Sequence, residues 1–300
     1  MPTLGWDSRS FLEGMTIMLL TMDNFDSRLL SGRLWRDFGP PPSMGPLGST
    51  WQAPSGNPAF GFFDNFHSFQ ASTLEGPYKI LEGSGCTIEQ IADTATEKGL
   101  VQLALDGNAD NDEAVLQWGR GLGAPFKLAD KDLVFEARFS LSAITAAKWD
   151  IAVGLGNVGM GVTDKLFVDT ASSMATDADF VGFAHLAAEG ADFDAAYKAA
   201  SQTYQDGATK TKLNALKTFV AATYVKLGFR YRAYPKKLEF YVDNVRPGGN
   251  ITPSLLTATE LDAATFPDGV FLAPIIGAKD QAGDTALNVK LDWWACAQYL

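Results

Sequence analysis

The chain has 300 residues, 46% of them hydrophobic, enough to furnish a sizeable core in one large or two ordinary domains. Its 24 Lys and Arg against 35 Asp and Glu leave a formal net charge of −11, which repels phosphate backbones and argues against generic nucleic-acid binding. Two Cys and two His are too few for a zinc-finger array, a thiolate cluster or a disulfide scaffold, so Cys86 and Cys296 read as idle or buried thiols.

Residues 1–60 read as an extended arm. Residues 11–34 are too apolar for a solvated tail, but the run 15–22 is far short of the roughly 20 residues that span a bilayer, and no basic region precedes it. Neither a membrane span nor a secretion signal is expected, which favours folding in a cytoplasm. Next, Pro40, Pro41, Pro42, Pro46, Pro54 and Pro58 alternate with Gly39, Gly45, Gly48 and Gly56, a composition unsuited to a regular helix or a central strand. An apolar segment on such a tether can cover the chain's own body or a neighbouring subunit. We expect the second, with Phe11, Met15, Met18, Leu19, Phe25, Leu30 and Trp35 as the contact residues.

From residue 61 to 300 the pattern is one of short runs rich in Phe, Tyr, Val and Ile, punctuated by Gly, Asp, Asn and Pro turns. It predicts an all-β domain of two antiparallel sheets. The expected strands are 62–69, 78–81, 86–91, 99–105, 114–118, 133–141, 150–155, 180–185, 223–233, 238–242, 270–277 and 286–297. In 133–141, Leu133, Phe135, Ala137, Phe139 and Leu141 alternate with Val134, Glu136, Arg138 and Ser140, as a strand with one buried face requires. The C-terminal run repeats this logic, with Leu287, Val289, Leu291 and Trp293 set against Asn288, Lys290 and Asp292; adjacent Trp293 and Trp294 must face opposite sides. Residues 206–222 make either a short helix or a loop, which periodicity alone does not separate.

Several motifs invite a chemical reading. Gly154, Gly156 and Gly159 spell G-x-G-x-x-G after an apolar run, but the next such run starts at Leu166, leaving no room for the helix that would present amides to a pyrophosphate. Asp106, Asn108, Asp110 and Asp112 alternate like the start of a calcium loop. The EF-hand form fails because Asn111 stands where Gly is needed and Gln117 where Glu is needed, so Ca2+ is only a weak candidate, and no other cofactor is expected. Glycan hydrolysis needs two suitably spaced carboxylates; Glu239 and Asp243 are the nearest pair on one strand, with no third acid. His67 and His185 have no G-x-S-x-G partner. No catalytic constellation is expected.

The segments LEFYVDNV (238–245) and TYVKLGFRYRA (223–233), supported by FFDNFHSF (62–69), LVFEARFSL (133–141), WDIAVGLG (149–156) and VKLDWWACA (289–297), resemble the concanavalin A-like, laminin-G-type jelly roll. The resemblance implies a two-sheet antiparallel jelly-roll sandwich. Where that family places Asp-Gly at a tight turn, this chain has Asp243-Asn244, which tolerates the same left-handed backbone. With its apolar arm and no glycanase acids, the chain is also similar to jelly-roll structural proteins of tailed-phage virions. That similarity implies a capsid decoration, cement or accessory head or tail subunit that contacts the major capsid protein, other virion subunits or copies of itself, a trimer being one arrangement open to it. The alternative is a carbohydrate-binding or glycan-cleaving lectin-like domain on a host-recognition appendage.

Overall fold

The computed structural model describes residues 30–39, 41, 45–66, 69, 77–91, 99–107, 111–119, 125–129, 131–144, 148–160, 166–168, 172–187, 192–247, 255–261, 264–281 and 286–300. A four-residue helix, α1 (Gly32–Trp35), precedes the strands β1 (Gly45–Gln52), β2 (Pro58–Asp64), β3 (Tyr78–Glu82), β4 (Thr87–Ile91), β5 (Leu100–Leu105), β6 (Glu113–Trp118), β7 (Phe126–Lys127), β8 (Leu133–Leu141) and β9 (Trp149–Asn157). There follow β10 (Phe180–His185), β11 (Asp192–Lys198), β12 (Lys217–Thr218), β13 (Val225–Arg232), β14 (Lys237–Val242), β15 (Leu255–Thr257), β16 (Phe271–Asp280) and β17 (Leu287–Tyr299).

All pairings are antiparallel and form two sheets. One runs β1-β2-β17-β8-β13-β14-β15, and the other β12-β11-β10-β9-β16-β6-β3. The 13-residue β17 organises the first sheet: one edge pairs along its length with β8, while the other is shared between β5 near Leu287 and β2 near Cys296. The sheets bury their facing apolar residues together. Across that interface Phe62 stacks on Trp118 with centroids 4.6 Å apart, and Phe183 meets Phe240 edge-on at 5.4 Å.

Strands 133–141 and 180–185 lie at the bounds expected from the sequence. The parity of β17 does not hold throughout. Leu287, Val289 and Leu291 face the core, but the register slips between Leu291 and Trp293, after which Trp294 and Cys296 face the core and Trp293 the outer side. The alternative left open at 206–222 resolves into a 3-10 turn (Thr211–Leu213) and β12. The left-handed turn read at Asp243-Asn244 is present, with φ of 49° and 66°.

The boundary expected at residue 60 falls inside β2. The Pro/Gly-rich stretch ahead of it supplies an edge strand, β1, which accommodates its glycine through a register shift between Gly45 and Ser49 and a positive φ of 71° at Gly48. Residues 30–38 lie on the outer face of the first sheet, where Leu30, Leu34, Trp35 and Phe38 pack with Phe63, Val134, Tyr241 and Trp293. The outer face of the second sheet is covered too, by Met160, Leu166, Phe167, Met174 and Ala178 against Val115, Ala152, Phe180 and Ile275.

Candidate functional site: an arginine-lined pocket

The site is assembled at the seam between the docked N-terminal segment and the outer face of β13 and β14. In β13, Leu227, Phe229 and Tyr231 point into the core, so Arg230 and Arg232 point outward; on the paired strand Glu239 lies opposite Arg230, and Tyr241 opposite Gly228. Gly228 makes room for the segment: a Cβ there would sit 2.5 Å from Leu34 Cδ2 and 2.7 Å from the Phe135 carbonyl oxygen.

Directed hydrogen bonds hold the segment down. The Ser31 N–H (2.9 Å) and Trp35 Nε1–H (3.0 Å) both donate to Glu136 Oε2, and the Arg33 N–H donates to Asn244 Oδ1 at 2.9 Å. Trp51 Nε1 donates to the Phe38 carbonyl, Tyr299 Oη donates to the Asp37 carbonyl, and the Phe38 ring stacks on Tyr299 at 4.2 Å. Glu136 belongs to the polar face of β8 expected to meet solvent, yet it is 1% exposed because the segment covers it. Burial pushes its carboxyl up to about 7, against the opposing effect of the Ser31 and Trp35 donors.

The floor of the site is a charge network. Arg230, itself buried, donates from Nε (2.9 Å) and Nη2 (2.6 Å) to Glu239 Oε2, from Nη1 to Asp37 Oδ2 (3.1 Å), and from Nη2 to Tyr241 Oη (3.2 Å). Arg232 reaches Asp37 at 3.2 Å, Arg36 Nε reaches it at 3.0 Å, and Arg246 Nη1 reaches Glu239 Oε1 at 3.3 Å. Burial opposes ionisation of Asp37, but the surrounding arginines hold its carboxyl below the ordinary aspartate value; burial pushes the Tyr241 phenol up. Above this floor opens a cavity of about 380 Å³ lined by Gly32, Arg33, Arg36, Arg230, Tyr241 and Arg246. Five guanidinium groups against two carboxylates leave an excess of three positive charges in a chain whose net charge is −11. The arrangement suits it to hold an anionic or hydrogen-bond-accepting ligand.

The other sequence candidates are placed as follows. Leu30 and Trp35 pack against the chain's own sheet, while Phe11, Met15, Met18, Leu19 and Phe25 lie outside the described residues, as do Asn108 and Asp110. Asp106 lies beside Gly85, and the Asp112 carbonyl accepts the Asp280 N–H at 2.9 Å. Among the described residues no group of three or more His, Cys, Asp or Glu could hold a metal ion. Glu239 and Asp243 do not form a pair: Glu239 is engaged by arginines, while Asp243 leaves β14 at the turn and accepts from the Lys226 N–H and Lys217 Nζ. His185 is buried, donates from Nδ1 to the Asp192 carbonyl (3.1 Å) and stacks on Phe193, and burial lowers its pKa; His67 lies outside the described residues. Gly154 and Gly156 sit within β9, where a Cβ on Gly154 would approach the Val181 carbonyl oxygen to 2.2 Å, so these glycines serve close strand packing and open no helix.

A second polar cluster, on the other sheet, is consumed in fastening its cover. The buried Asp150 accepts from Ser172 Oγ (2.6 Å), the Ala187 N–H (2.8 Å) and Gln281; Glu113 accepts the Leu166 N–H at 2.9 Å, and Lys279 Nζ donates to the Val168 carbonyl. The arginine pocket was missed in the sequence because its members lie on three separate segments. The one local signal is R-Y-R at 230–232, two arginines on the strand face opposite Phe229 and Tyr231.

The chain has the concanavalin A-like jelly-roll fold. No protein-family model and no curated protein matches the sequence. Among solved structures, an endo-1,3-beta-glucanase from Streptomyces sioyaensis is similar with a TM-score of 0.50 and 12% identity, over 86% of this chain and 99% of that one. A protein of unknown function from Shewanella oneidensis MR-1 (TM-score 0.49, 14% identity, 100% of this chain and 97% of that) and peanut lectin (0.48, 13%, 80% and 97%) are similar at a lower level. At these identities the likeness speaks for the fold alone.

Proposed function

We propose that the protein is a carbohydrate-binding, lectin-like sandwich that grips a glycan without cleaving it, and that the arginine-lined pocket is where it does so. The observation that carries this reading is the pocket itself: Arg33, Arg36 and Arg246 stand at an opening whose floor is held rigid by Arg230, Glu239 and Asp37. Guanidinium groups supply planar arrays of donors to sugar oxygens, and internal pairing of the floor lowers the entropy lost on binding. A volume near 380 Å³ falls within the range of about 300–1,000 Å³ typical of small-ligand sites. The structurally similar glucanase acts on a glycan by its name, which is compatible with this reading at the level of fold.

Non-enzymatic action is part of the proposal, because the two carboxylates at the pocket are engaged by its arginines: Glu239 by Arg230 and Arg246, and Asp37 by Arg36, Arg230 and Arg232. The test is a glycan array probed with the full-length protein. The reading expects retention of a defined set of glycans, lost in the Arg33→Ala/Arg36→Ala variant. Absence of retained glycans, or retention unaffected by that variant, would overturn it.

A further inference from the structure

We infer that the pocket selects an acidic saccharide, a sugar carrying a carboxylate or sulfate group, which it clamps between Arg33 and Arg36 of the docked segment and Arg246 of the sheet. This rests on the glycan-binding reading and adds the ligand's charge and the residues that read it.

Three observations lead there. First, the guanidinium groups divide into a consumed floor and an available rim. Among the described residues, Arg230 spends Nε, Nη1 and Nη2 on Glu239, Asp37 and Tyr241, whereas Arg36 gives only Nε to Asp37, Arg246 gives only Nη1 to Glu239, and the Arg33 side chain makes no hydrogen bond. Forked donors therefore remain on three arginines around one opening. Second, the local charge has the wrong sign for the molecule. A chain with pI near 4.6 gathers an excess of three positive charges at one seam, which attracts an anion there while the rest of the surface repels it. Third, the rim is positioned as well as charged. The Arg33 backbone is held by Asn244 and α1 is seated by the Glu136 bonds, so the segment that carries Arg33 and Arg36 is ordered on the sheet before a ligand arrives. Bidentate recognition of a planar carboxylate or a tetrahedral sulfate by such forks is what distinguishes arginine from lysine.

The experiment is titration calorimetry on the full-length protein with four probes: oligogalacturonate, a kappa-carrageenan oligosaccharide, which carries sulfate and no carboxylate, a neutral galacto-oligosaccharide and inorganic sulfate. The inference expects at least one acidic oligosaccharide to bind at least tenfold more tightly than the neutral one, to weaken severalfold as NaCl rises from 50 to 500 mM, and to lose about tenfold or more in affinity on Arg33→Ala or Arg36→Ala. The carboxylate and sulfate arms separate the two anion sources. Arg33→Lys/Arg36→Lys keeps the charge but removes the fork and should lose most of that affinity, which separates recognition from mere attraction. Both side chains are exposed, and circular dichroism verifies folding of each variant. Equal binding of neutral and acidic sugars would overturn this inference and leave the glycan reading standing. Inorganic sulfate bound as tightly as the acidic sugars would overturn the glycan reading and leave an anion site. Binding of none of the four would overturn both.

Discussion

Glu136 offers a direct handle on the docked segment. Its carboxyl is fully buried beneath residues 31–35 and titrates near 7 in the folded protein, against 4.5 for an ordinary glutamate. An acid whose folded pKa is raised binds more protons folded than unfolded at pH values between the two, so stability from this group is greatest below about pH 4.5 and is lost as pH climbs through 7. The difference of about 2.5 pKa units corresponds to roughly 3 kcal/mol at 1.36 kcal/mol per unit. Glu136→Gln retains an acceptor for the Ser31 N–H and Trp35 Nε1–H and removes the ionisation. Thermal melts from pH 4 to 9 should show the variant gaining on the native protein as pH rises, with an advantage on the order of 5 °C above pH 8. A difference between the two that stays flat across the range, or favours the native protein at high pH, would refute a buried carboxyl held near neutrality by the segment.

Two further outcomes follow from the same seam. Deleting residues 1–39 removes Leu34, Trp35 and Phe38 from the sheet face. Burial of these side chains, at about 1.5–3 kcal/mol each, is largely offset by roughly 1–2 kcal/mol of ordering entropy per residue. The sandwich should therefore still fold, but expose Phe63, Val134 and Trp293, associate in light scattering and fail to bind glycan; full binding by the shorter chain would contradict the seam. Arg230→Ala takes two hydrogen bonds from the buried Glu239, leaving it Arg246 and the more distant Arg232, and should cost about 1.5–3 kcal/mol in urea unfolding, part of it recovered by adding Glu239→Leu.

Much of the sandwich was legible because a period of two is strong wherever one sheet face meets the core. Leu133–Leu141 carries that signal, whereas Phe180–His185, buried on both faces, is legible as a short apolar run. It failed where local irregularity changed the period. The slip after Leu291 sends Trp294 rather than Trp293 inward, and nothing in the composition of VKLDWWACA marks the extra residue. β1 was hidden by its Pro and Gly, which an edge strand tolerates, and β11 by alanines at Ala195 and Ala196 that carry little strand preference of their own. Covering of the outer faces was the larger omission. Glu136 reads as solvent-facing until residues 30–38 are laid over it, and Arg33 and Arg36 join Arg230 and Arg246 only through that placement.

The most direct test of the account is a crystal structure of the full-length protein soaked with an acidic oligosaccharide. The account predicts sugar density at the seam, with the anionic group within hydrogen-bond distance of Arg33, Arg36 or Arg246. Density seated on the opposite sheet, around the cover formed by Met160, Phe167 and Met174, with the arginine pocket left to solvent, would contradict it.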